Sequence, residues 1–436
     1  MKLFGGASGA RTASGRAAAA RIASQAAPVR NPLKALAVVL AVILLIEAAY
    51  FFAIFSRHPF ISKWRNVYIS TAMDTMSHQW LATAIIPPDI IEEVVGGQQA
   101  AMEAQDGLTS QWEKEEPVDD STVSNDDPTD VDMIVIEERT PDEIAEDEFF
   151  NIFHEVDPLS FQEYLDEHPD VLNDGWSQLR INEAGLDDEG TSILTIYGEQ
   201  VLAIDYPNKI LLVRVKGDGY QGVLAVAKDP SRLTHRPSSQ LGKAGETVGT
   251  IAAANNGILA MNGSGFMDDN GGGDGGTLTG YAMFDGVSHG YSFFAMGEKR
   301  LELHDDNLMY IYDTSASVNP NCTDAVEWHP AIIVDGKDVL GLGWDGLHPR
   351  ACIGQSDKYE ILMLAVEGRQ PLRSLGITLY DCADILLQHG CMQAMNLDGG
   401  TSAMMWYDGE YIIKCSNAQL PQGRPLPTAF VYARSE

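Results

Sequence analysis

Hydrophobic and polar positions alternate differently in three parts of the chain. Residues 35–55, ALAVVLAVILLIEAAYFFAIF, are apolar except for Glu47. Residues 157–190 place Phe161, Tyr164 and Leu165 at helical spacing after Asp157, which predicts one or two short helices. From residue 191 onwards the apolar residues come in short runs bounded by glycine, proline and asparagine, a pattern typical of β-strands.

The apolar run 35–55 predicts a transmembrane helix. Twenty-one helical residues extend about 32 Å, which is enough to cross a hydrocarbon core of about 30 Å. Residues 1–34 contain six basic residues and no acidic one, so we expect a cytoplasmic N-terminal tail, a single-pass anchor and an extracytoplasmic remainder. A cleaved signal peptide is the alternative, but it would have a shorter apolar region and a small-residue cleavage site, whereas FSRHPF follows here.

Residues 56–156 separate this segment from the rest of the chain. Their first half is apolar enough for a short helical stalk. Between Glu113 and Glu148 there are sixteen acidic and two basic residues. Such a stretch does not bury enough apolar surface to fold alone, so we predict a solvated, largely disordered spacer.

Residues 191–436 are predicted to form one domain of the α+β (mixed α/β) class, in which mixed sheets pack against helices. The runs ILTIYGEQVLAIDY (193–206), KILLVRVKG (209–217) and GVLAVAKDP (222–230) are predicted strands. The clearest helix is predicted at residues 379–389, closed by Gly390.

The composition excludes some functions. A formal net charge of −33 makes nucleic acid an improbable partner, because binding phosphate backbones needs a basic surface. The five cysteines contain no CxxC pair and so give little support to a structural zinc site. We expect most of them to be free buried thiols, with at least one left unpaired within the chain.

The motif MQAMNLDGGTSAMM (392–405) is the strongest candidate for chemistry. A carboxylate follows an apolar stretch, and two glycines then allow a sharp turn whose N–H groups and hydroxyls can receive an anion. The polar and glycine positions are Asn396, Asp398, Gly399, Gly400, Thr401 and Ser402. A simple turn is the alternative interpretation of a DGG sequence.

Two further segments carry candidate residues. In HPRACIG (348–354), Arg350 presents a planar donor fork suited to carboxylate or phosphate, although a structural salt bridge would use the same residue. In ILAMNGSGF (258–266), Asn262 ends an apolar strand before a glycine-rich bend. The acidic, glycine-rich run at 268–276 lacks the spacing of an EF-hand, so we expect a flexible loop there.

In combination, these segments resemble the phosphodiester glycosidase family. The resemblance extends over about 220 residues and includes GYQGVLAVAKDPSRL, AMNGSGF, GYAMFDG, HPAIIVDGK, HPRACIGQ, VEGRQP, SLGITLYDCADIL, NLDGGTSAMM and GRPLPTAF in family order. The chain departs from the family pattern at Ser264, Ala351, Glu367 and Thr428. These departures put an inherited substrate preference in doubt more than the activity class.

The resemblance implies hydrolysis of the bond between a sugar's anomeric carbon and a phosphate, in a phosphodiester of a cell-surface or exopolysaccharide glycan. It implies no cofactor and requires no metal. The catalytic candidates are Asp398 at the anomeric carbon, Arg350 at the phosphate and Glu367 as a second carboxylate. The candidate substrate-binding residues are Asn262, Gly263, His348, Asn396, Gly399, Gly400, Thr401 and Ser402.

Two other functions stay open at this point. A degenerate relative would bind a phosphate-bearing wall polymer without cleaving it, and a glycan-transferring enzyme of exopolysaccharide assembly would use a sugar acceptor in place of water. The sequence leaves open the sugar, the stereochemical course and the oligomeric state.

Overall fold

The computed structural model describes residues 32–75, 78–113, 139–268, 273–292 and 297–435. Contacts between α-carbons divide the chain into two compact units, residues 1–65 and residues 66–436. The predicted cytoplasmic tail and most of the predicted acidic spacer lie outside the described residues.

The described residues form eight α-helices and nineteen strands. The helices are α1 (Pro32–Phe55), α2 (Pro59–Met73), α3 (Trp80–Thr83), α4 (Pro88–Ala104), α5 (Pro141–Ile152), α6 (Pro158–Glu167), α7 (Val248–Ala254) and α8 (Leu379–Gln388). The strands are β1 (Arg180–Asn182), β2 (Gln200–Asp205), β3 (Ile210–Gly217), β4 (Tyr220–Ala227), β5 (Leu233–Pro237), β6 (Gly257–Asn262), β7 (Tyr281–Phe284), β8 (Val287–Gly290), β9 (Lys299–His304), β10 (Met309–Asp313), β11 (Cys322–Trp328), β12 (Ala331–Val334), β13 (Lys337–Asp338), β14 (Arg350–Ser356), β15 (Ile361–Val366), β16 (Cys391–Asn396), β17 (Met405–Tyr407), β18 (Glu410–Tyr411) and β19 (Thr428–Ala433).

The α1 helix confirms a long apolar element near the N-terminus. By length and composition it could cross a membrane, although a signal sequence in this position would have the same properties. Its apolar side chains are exposed, including Leu44, Leu45 and Ile46.

The strands form three antiparallel sheets, which confirms the predicted α+β class. The largest has nine strands in the order β1-β2-β3-β4-β15-β14-β16-β12-β13. The two five-stranded sheets have the orders β10-β9-β11-β7-β8 and β18-β17-β6-β19-β5. Every strand pair in them is antiparallel.

The nine-stranded sheet is buried on both faces. Along β3, Leu212 packs in one core with side chains of the two smaller sheets such as Met261. Its neighbour Leu211 packs in a second core with helical side chains such as Phe161 and Leu386. Because successive strand residues point to opposite faces, a continuous apolar run such as KILLVRVKG serves both cores.

The strongest predicted helix is confirmed. The α8 helix ends at Gln388 and is followed by Gly390 at φ = +68°, a left-handed conformation that glycine adopts readily. At its start, the Thr378 hydroxyl accepts the Asp381 N–H at 3.1 Å, which is the N-cap arrangement. The five cysteines are free and buried.

The first predicted strand is shorter than expected. Only residues 200–205 of the run 193–206 form β2, because Gly198 turns the chain at φ = +81°. The Thr195 hydroxyl accepts the N–H groups of Tyr197 and Glu199, both at 3.2 Å, and so stabilises this turn.

Residues 101–112 pack on the sheets, in contrast to the expected stalk. Gln105 donates to the carbonyl oxygens of Ala331 and Val339, both at 2.9 Å. Ser110 donates through its N–H to the Ile311 oxygen at 2.8 Å. The predicted boundary at residue 191 stays a prediction, although β1 already joins the large sheet at residues 180–182.

Candidate active site

Asp398 lies in the loop between β16 and the 3₁₀ turn Gly400–Ser402. The two glycines are needed because this loop passes close to Pro349. A side chain at Gly399 would place its first carbon 2.8 Å from the Pro349 oxygen, and Gly400 has φ = +62°. The Gly400 N–H donates to the same Pro349 oxygen at 2.9 Å. The DGG segment therefore joins the Asp398 loop to the start of β14.

Asn262 holds the Asp398 loop from the neighbouring sheet. Its side-chain amide donates to the Asp398 carbonyl oxygen at 2.7 Å, and its amide oxygen accepts the Met404 N–H at 3.2 Å. Both ends of the amide thus bind the loop, although the sequence predicts a contact with substrate. The structure supports a positioning role for Asn262.

Asp398 is half-buried as a residue, and its carboxyl group is recessed. Burial raises its pKa to about 6, and the nearby Asp268 carboxylate acts in the same direction. The Ser402 hydroxyl, Arg424 and His329 oppose this rise. A carboxyl group with a raised pKa in a recess is typical of an acid–base or nucleophilic residue.

Arg350 begins β14 with its side chain buried, and Nε and Nη2 have no hydrogen-bond partner within the described residues. Arg350 therefore forms no structural salt bridge with the described residues. The buried Ser264 Oγ and Asn396 Oδ1 likewise lack partners there. These three residues contribute four of the ten such buried atoms in the described chain. Because buried polar groups are nearly always paired, this concentration indicates a ligand site.

The residues with unpaired atoms surround the Asp398 loop. The N–H of Leu397, directly before Asp398, donates to Ala351, directly after Arg350, at 2.8 Å. The Asn396 amide nitrogen donates to the His329 carbonyl at 2.8 Å. Arg350, Asn396 and Asp398 therefore meet where β14 begins and β16 ends.

A second arginine, Arg369, lies beside the loop. Its two terminal nitrogens are each 3.1 Å from the position that a Gly400 side chain would occupy. Burial and the charge of Arg350 lower the pKa of Arg369, whereas Asp398 raises it. No hydrogen bond or ion pair of its guanidinium is present among the described residues. Arg369 is not among the residues predicted from the sequence, although it belongs to the segment VEGRQP.

An ion pair of Asp268 and Arg424 lies near enough to Asp398 for both charges to act on its pKa. Their side chains are 2.6 Å apart, and Asp268 also accepts the Gly273 N–H at 2.7 Å. Burial would raise the pKa of Asp268, but Arg424 and the Gly273 N–H lower it. Asp268 is thus fixed by contacts, contrary to the expected flexible loop, although residues 269–272 lie outside the described residues.

Trp328 and His329 form an aromatic face next to the site. Their rings stack at 5.2 Å with an interplanar angle of 18°. A side-chain carbon at Gly265 would lie only 2.1 Å from the Trp328 ring, so only glycine fits there. His329 binds Glu298 through Nδ1 at 2.9 Å.

Glu367 does not serve as the second carboxylate that the sequence predicts. Its side chain is fully buried and accepts from Arg373 Nη2 at 2.9 Å and from the Lys414 N–H at 2.7 Å. Gln221 donates to it as well, at 3.2 Å. These donors occupy the carboxylate, so it is a structural ion pair. The carboxylate whose charge raises the pKa of Asp398 is that of Asp268.

Gly263 and Thr428 belong to a buried hydrogen-bond chain below the site. His235 Nδ1 lies 3.0 Å from the Ala325 oxygen, so Nδ1 carries the proton and Nε2 accepts from the Thr428 hydroxyl at 2.8 Å. The Thr428 oxygen in turn accepts the Ser264 N–H at 2.7 Å. A side chain at Gly263 would collide with Thr428 and His235, at 2.5 and 2.7 Å. This chain fixes the bend that carries Asn262 and Ser264.

The remaining predicted residues lie in or next to the loop. The Ser402 hydroxyl lowers the pKa of Asp398, whereas the Thr401 hydroxyl lies 3.2 Å from that of Ser416. His348 is buried, and burial together with Arg350 lowers its pKa, although Asp74 acts in the opposite direction.

A cluster with metal-ligand spacing in the described residues comprises His154, Glu155 and Glu360. Lys228 lies between the two carboxylates, 2.6 Å from Glu155 and 2.7 Å from Glu360. The ammonium group supplies the positive charge that a metal ion would bring. This cluster is therefore a buried ion-pair network.

Residues 255–433 match the family model described as phosphodiester glycosidase. This part of the chain is thus similar to the phosphodiester glycosidase family. The match includes all of the predicted site residues and Arg369 and Arg424. It confirms the family that the motifs indicate.

The individual proteins that resemble this chain are less than 30% identical to it. The SPbeta prophage-derived uncharacterized protein YomE of Bacillus subtilis (strain 168) is 29% identical over 188 residues, which are 39% of this chain and 28% of that protein. Among solved structures, the zebrafish N-acetylglucosamine-1-phosphodiester alpha-N-acetylglucosaminidase catalytic domain aligns at 16% identity and a TM-score of 0.43, with 51% of this chain and 82% of that chain covered. A hypothetical protein from Synechocystis aligns at 13% identity and a TM-score of 0.37, over 53% of this chain and 63% of that chain.

Proposed function

We propose that the protein hydrolyses the glycosidic bond between a sugar's anomeric carbon and a phosphate in a phosphodiester. The observation that carries this proposal is the buried Arg350, whose Nε and Nη2 have no partner among the described residues. Its backbone neighbours Pro349 and Ala351 are hydrogen-bonded to the residues on either side of Asp398. A buried cation without a partner is costly, so it favours an anionic ligand. The match of residues 255–433 to the family supports the same class of reaction.

The charges next to the loop favour an anionic ligand. Asp268 and Arg424 neutralise each other as an ion pair. Above pH 6, Asp398 is ionised and offsets one of the two arginines Arg350 and Arg369. These five groups together then leave one positive charge beside the loop, which favours an anion such as a phosphodiester.

The reaction needs one carboxylate at the anomeric carbon. In this scheme Asp398 takes a proton from water, the water oxygen bonds to the anomeric carbon, and the bond from that carbon to the phosphate oxygen breaks. The electron pair leaves with the phosphate, whose charge Arg350 and Arg369 stabilise. A phosphate is a weak base, so protonation by a second carboxyl group contributes less than in ordinary glycosidases. This agrees with the structural use of Glu367.

The aromatic face suits the sugar. The Trp328 and His329 rings are stacked, and an outer face of this stack can pack against a pyranose. The site beside them contains Ser264 Oγ and Asn396 Oδ1, which have no partner among the described residues. These oxygens can accept hydrogen bonds from sugar hydroxyls, and Ser264 can also donate one.

We further propose that α1 anchors the protein in the membrane with its C-terminal domain outside the cytoplasm, where the substrate would be a phosphate-linked glycan of the cell surface or an exopolysaccharide. Protease treatment of intact and of permeabilised cells tests this topology. Cleavage of the C-terminal domain in intact cells supports export, and protection until permeabilisation refutes it.

The activity is tested with the purified full chain and a panel of glycosyl phosphodiesters, including UDP-sugars. We expect release of free sugar, and ¹⁸O from labelled water in the sugar, because the bond to carbon is the one that breaks. Asp398→Asn and Arg350→Ala should lower kcat/KM by at least 100-fold. The exposed Arg139→Ala is the matched control.

Other outcomes separate the alternatives. Label in the phosphate would identify a phosphodiesterase instead. Transfer of the sugar to an added acceptor in preference to water would favour a glycan-transferring enzyme. Binding of the panel without turnover would favour a binding module, and either of the last two results would refute hydrolysis.

A further inference from the structure

Asp74 lies outside residues 255–433, the part that matches the family, yet it contacts a predicted site residue. Its Oδ2 is 3.3 Å from Nε2 of His348. The Asp74 side chain is 19% exposed and the His348 side chain 6%. The two atoms are close enough for a hydrogen bond, but their geometry does not form one in the present conformation. Catalytic pairs often align only when substrate is bound.

A second contact fixes the same segment to the same loop. The N–H of Leu347, directly before His348, donates to the Thr71 hydroxyl at 3.0 Å. Within this segment, Ile69 is completely buried and Ala72 is 5% exposed. The end of α2 is thus a packed part of the unit that contains the site.

Gly346 makes the approach of Asp74 to His348 possible. A side-chain carbon at this position would lie 2.8 Å from Asp74 Oδ2 and also 2.8 Å from His348 Nε2. No other residue type leaves room for both groups. The absence of a side chain at Gly346 therefore leaves the space in which Asp74 and His348 meet.

The pair is connected to the proposed reaction centre through the backbone. Pro349, directly after His348, accepts the Gly400 N–H of the Asp398 loop at 2.9 Å. Arg350 follows, and its charge acts on His348. The groups whose charges face His348 are Asp74, Arg350 and Arg369.

We propose that Asp74 is a positioning residue that orients His348 and places its proton on Nε2. A carboxylate opposite one ring nitrogen favours the proton there, which leaves Nδ1 as a hydrogen-bond acceptor for a sugar hydroxyl or for water. The role in turnover rests on the proposed function. It follows that residues 66–75 are needed for the site, in addition to the family domain.

The test uses the full chain with Asp74→Asn and, independently, Gly346→Ala, which separates the pair without removing a charge. Each should lower kcat/KM by about 10–100-fold, the range for loss of a partner that orients a functional histidine. Glu93→Gln removes an exposed charge from α4, which follows Asp74 in the chain, and should leave kcat/KM unchanged.

Combination with His348→Gln decides whether Asp74 acts through His348. In that background we expect Asp74→Asn to have no further effect on kcat/KM, because contacting residues are not additive. An equal loss in both backgrounds, or no loss in either, would overturn the proposal.

A second measurement does not depend on activity. The His348 ring signals, assigned with His348→Gln, are followed by ¹⁵N NMR as the pH changes. Loss of the Asp74 charge should lower the pKa of His348, because the positive groups Arg350 and Arg369 then remain. Unchanged titration in Asp74→Asn would overturn the proposal. If the wild type turns over no glycosyl phosphodiester, the proposed function fails, and the NMR result still decides the pairing of Asp74 with His348.

Discussion

Replacement of Asp398 by asparagine should stabilise the protein while it abolishes activity. Burial raises the pKa of Asp398 from 3.8 to about 6. At pH 7 the carboxylate is therefore ionised in both the folded and the unfolded state. Its burial then destabilises the folded state relative to the unfolded chain. Asparagine removes the charge and keeps an oxygen that can accept from Ser402.

The size of the effect follows from the shift in pKa. One pKa unit corresponds to about 1.4 kcal/mol, so Asp398→Asn should raise the free energy of unfolding by up to about 3 kcal/mol at pH 7. At pH 4 the folded state already binds the proton and the unfolded state binds it about half of the time. The gain should then fall to about 0.5 kcal/mol.

Asp268→Asn is the matched control because its pKa is shifted in the opposite direction. Its carboxylate stabilises the fold above the unfolded pKa, and this contribution is lost as the pH falls through the folded pKa. The free energy of unfolding of this variant should be about 2–4 kcal/mol lower than that of the wild type at pH 7, because Arg424 is left without its partner. Thermal unfolding, at about 2 °C per kcal/mol for a large domain, measures both changes. A lower melting temperature of Asp398→Asn at pH 7 would refute the account of Asp398.

Two further substitutions test other parts of the site. Thr428→Val should destabilise the protein by about 2–4 kcal/mol, because it leaves the Ser264 N–H and His235 Nε2 buried without partners, whereas Thr428→Ser should stay near the wild type in denaturant unfolding. Equal stability of the two variants would contradict this. Glu367→Gln should lower the free energy of unfolding by about 2–4 kcal/mol, because it leaves Arg373 without its carboxylate partner. The folded variant should keep kcat/KM within about threefold of the wild type. A 100-fold loss of kcat/KM would restore Glu367 as a catalytic candidate.

The family motifs named segments that the fold brings together around Asp398, but the structure places the Glu367 side chain in a buried ion pair with Arg373. Glu367 stands two residues before Arg369, and both lie directly after β15. The carboxylate is buried with Arg373, whereas the guanidinium lies against Gly400. The direction of a side chain after a strand depends on the local backbone, and Arg369 has φ = +59°. A motif does not contain this information.

The sequence by itself determined the local elements and the residues that carry charge. Apolar periodicity predicted α8 and β3, and the glycines of the DGG segment predicted the turn that presents Asp398. These features depend on neighbours in the chain, so a pattern of nearby residues is sufficient.

Only the tertiary structure decided which groups meet. Asn262 reaches the Asp398 loop from another sheet, Asp268 and Arg424 pair across more than 150 residues, and Asp74 approaches His348 from a segment that the sequence assigned to a stalk. Whether a polar side chain is paired or left free depends on such distant partners. Arg350 became a candidate for binding phosphate rather than a structural ion pair because the fold brings no carboxylate of the described residues to its guanidinium.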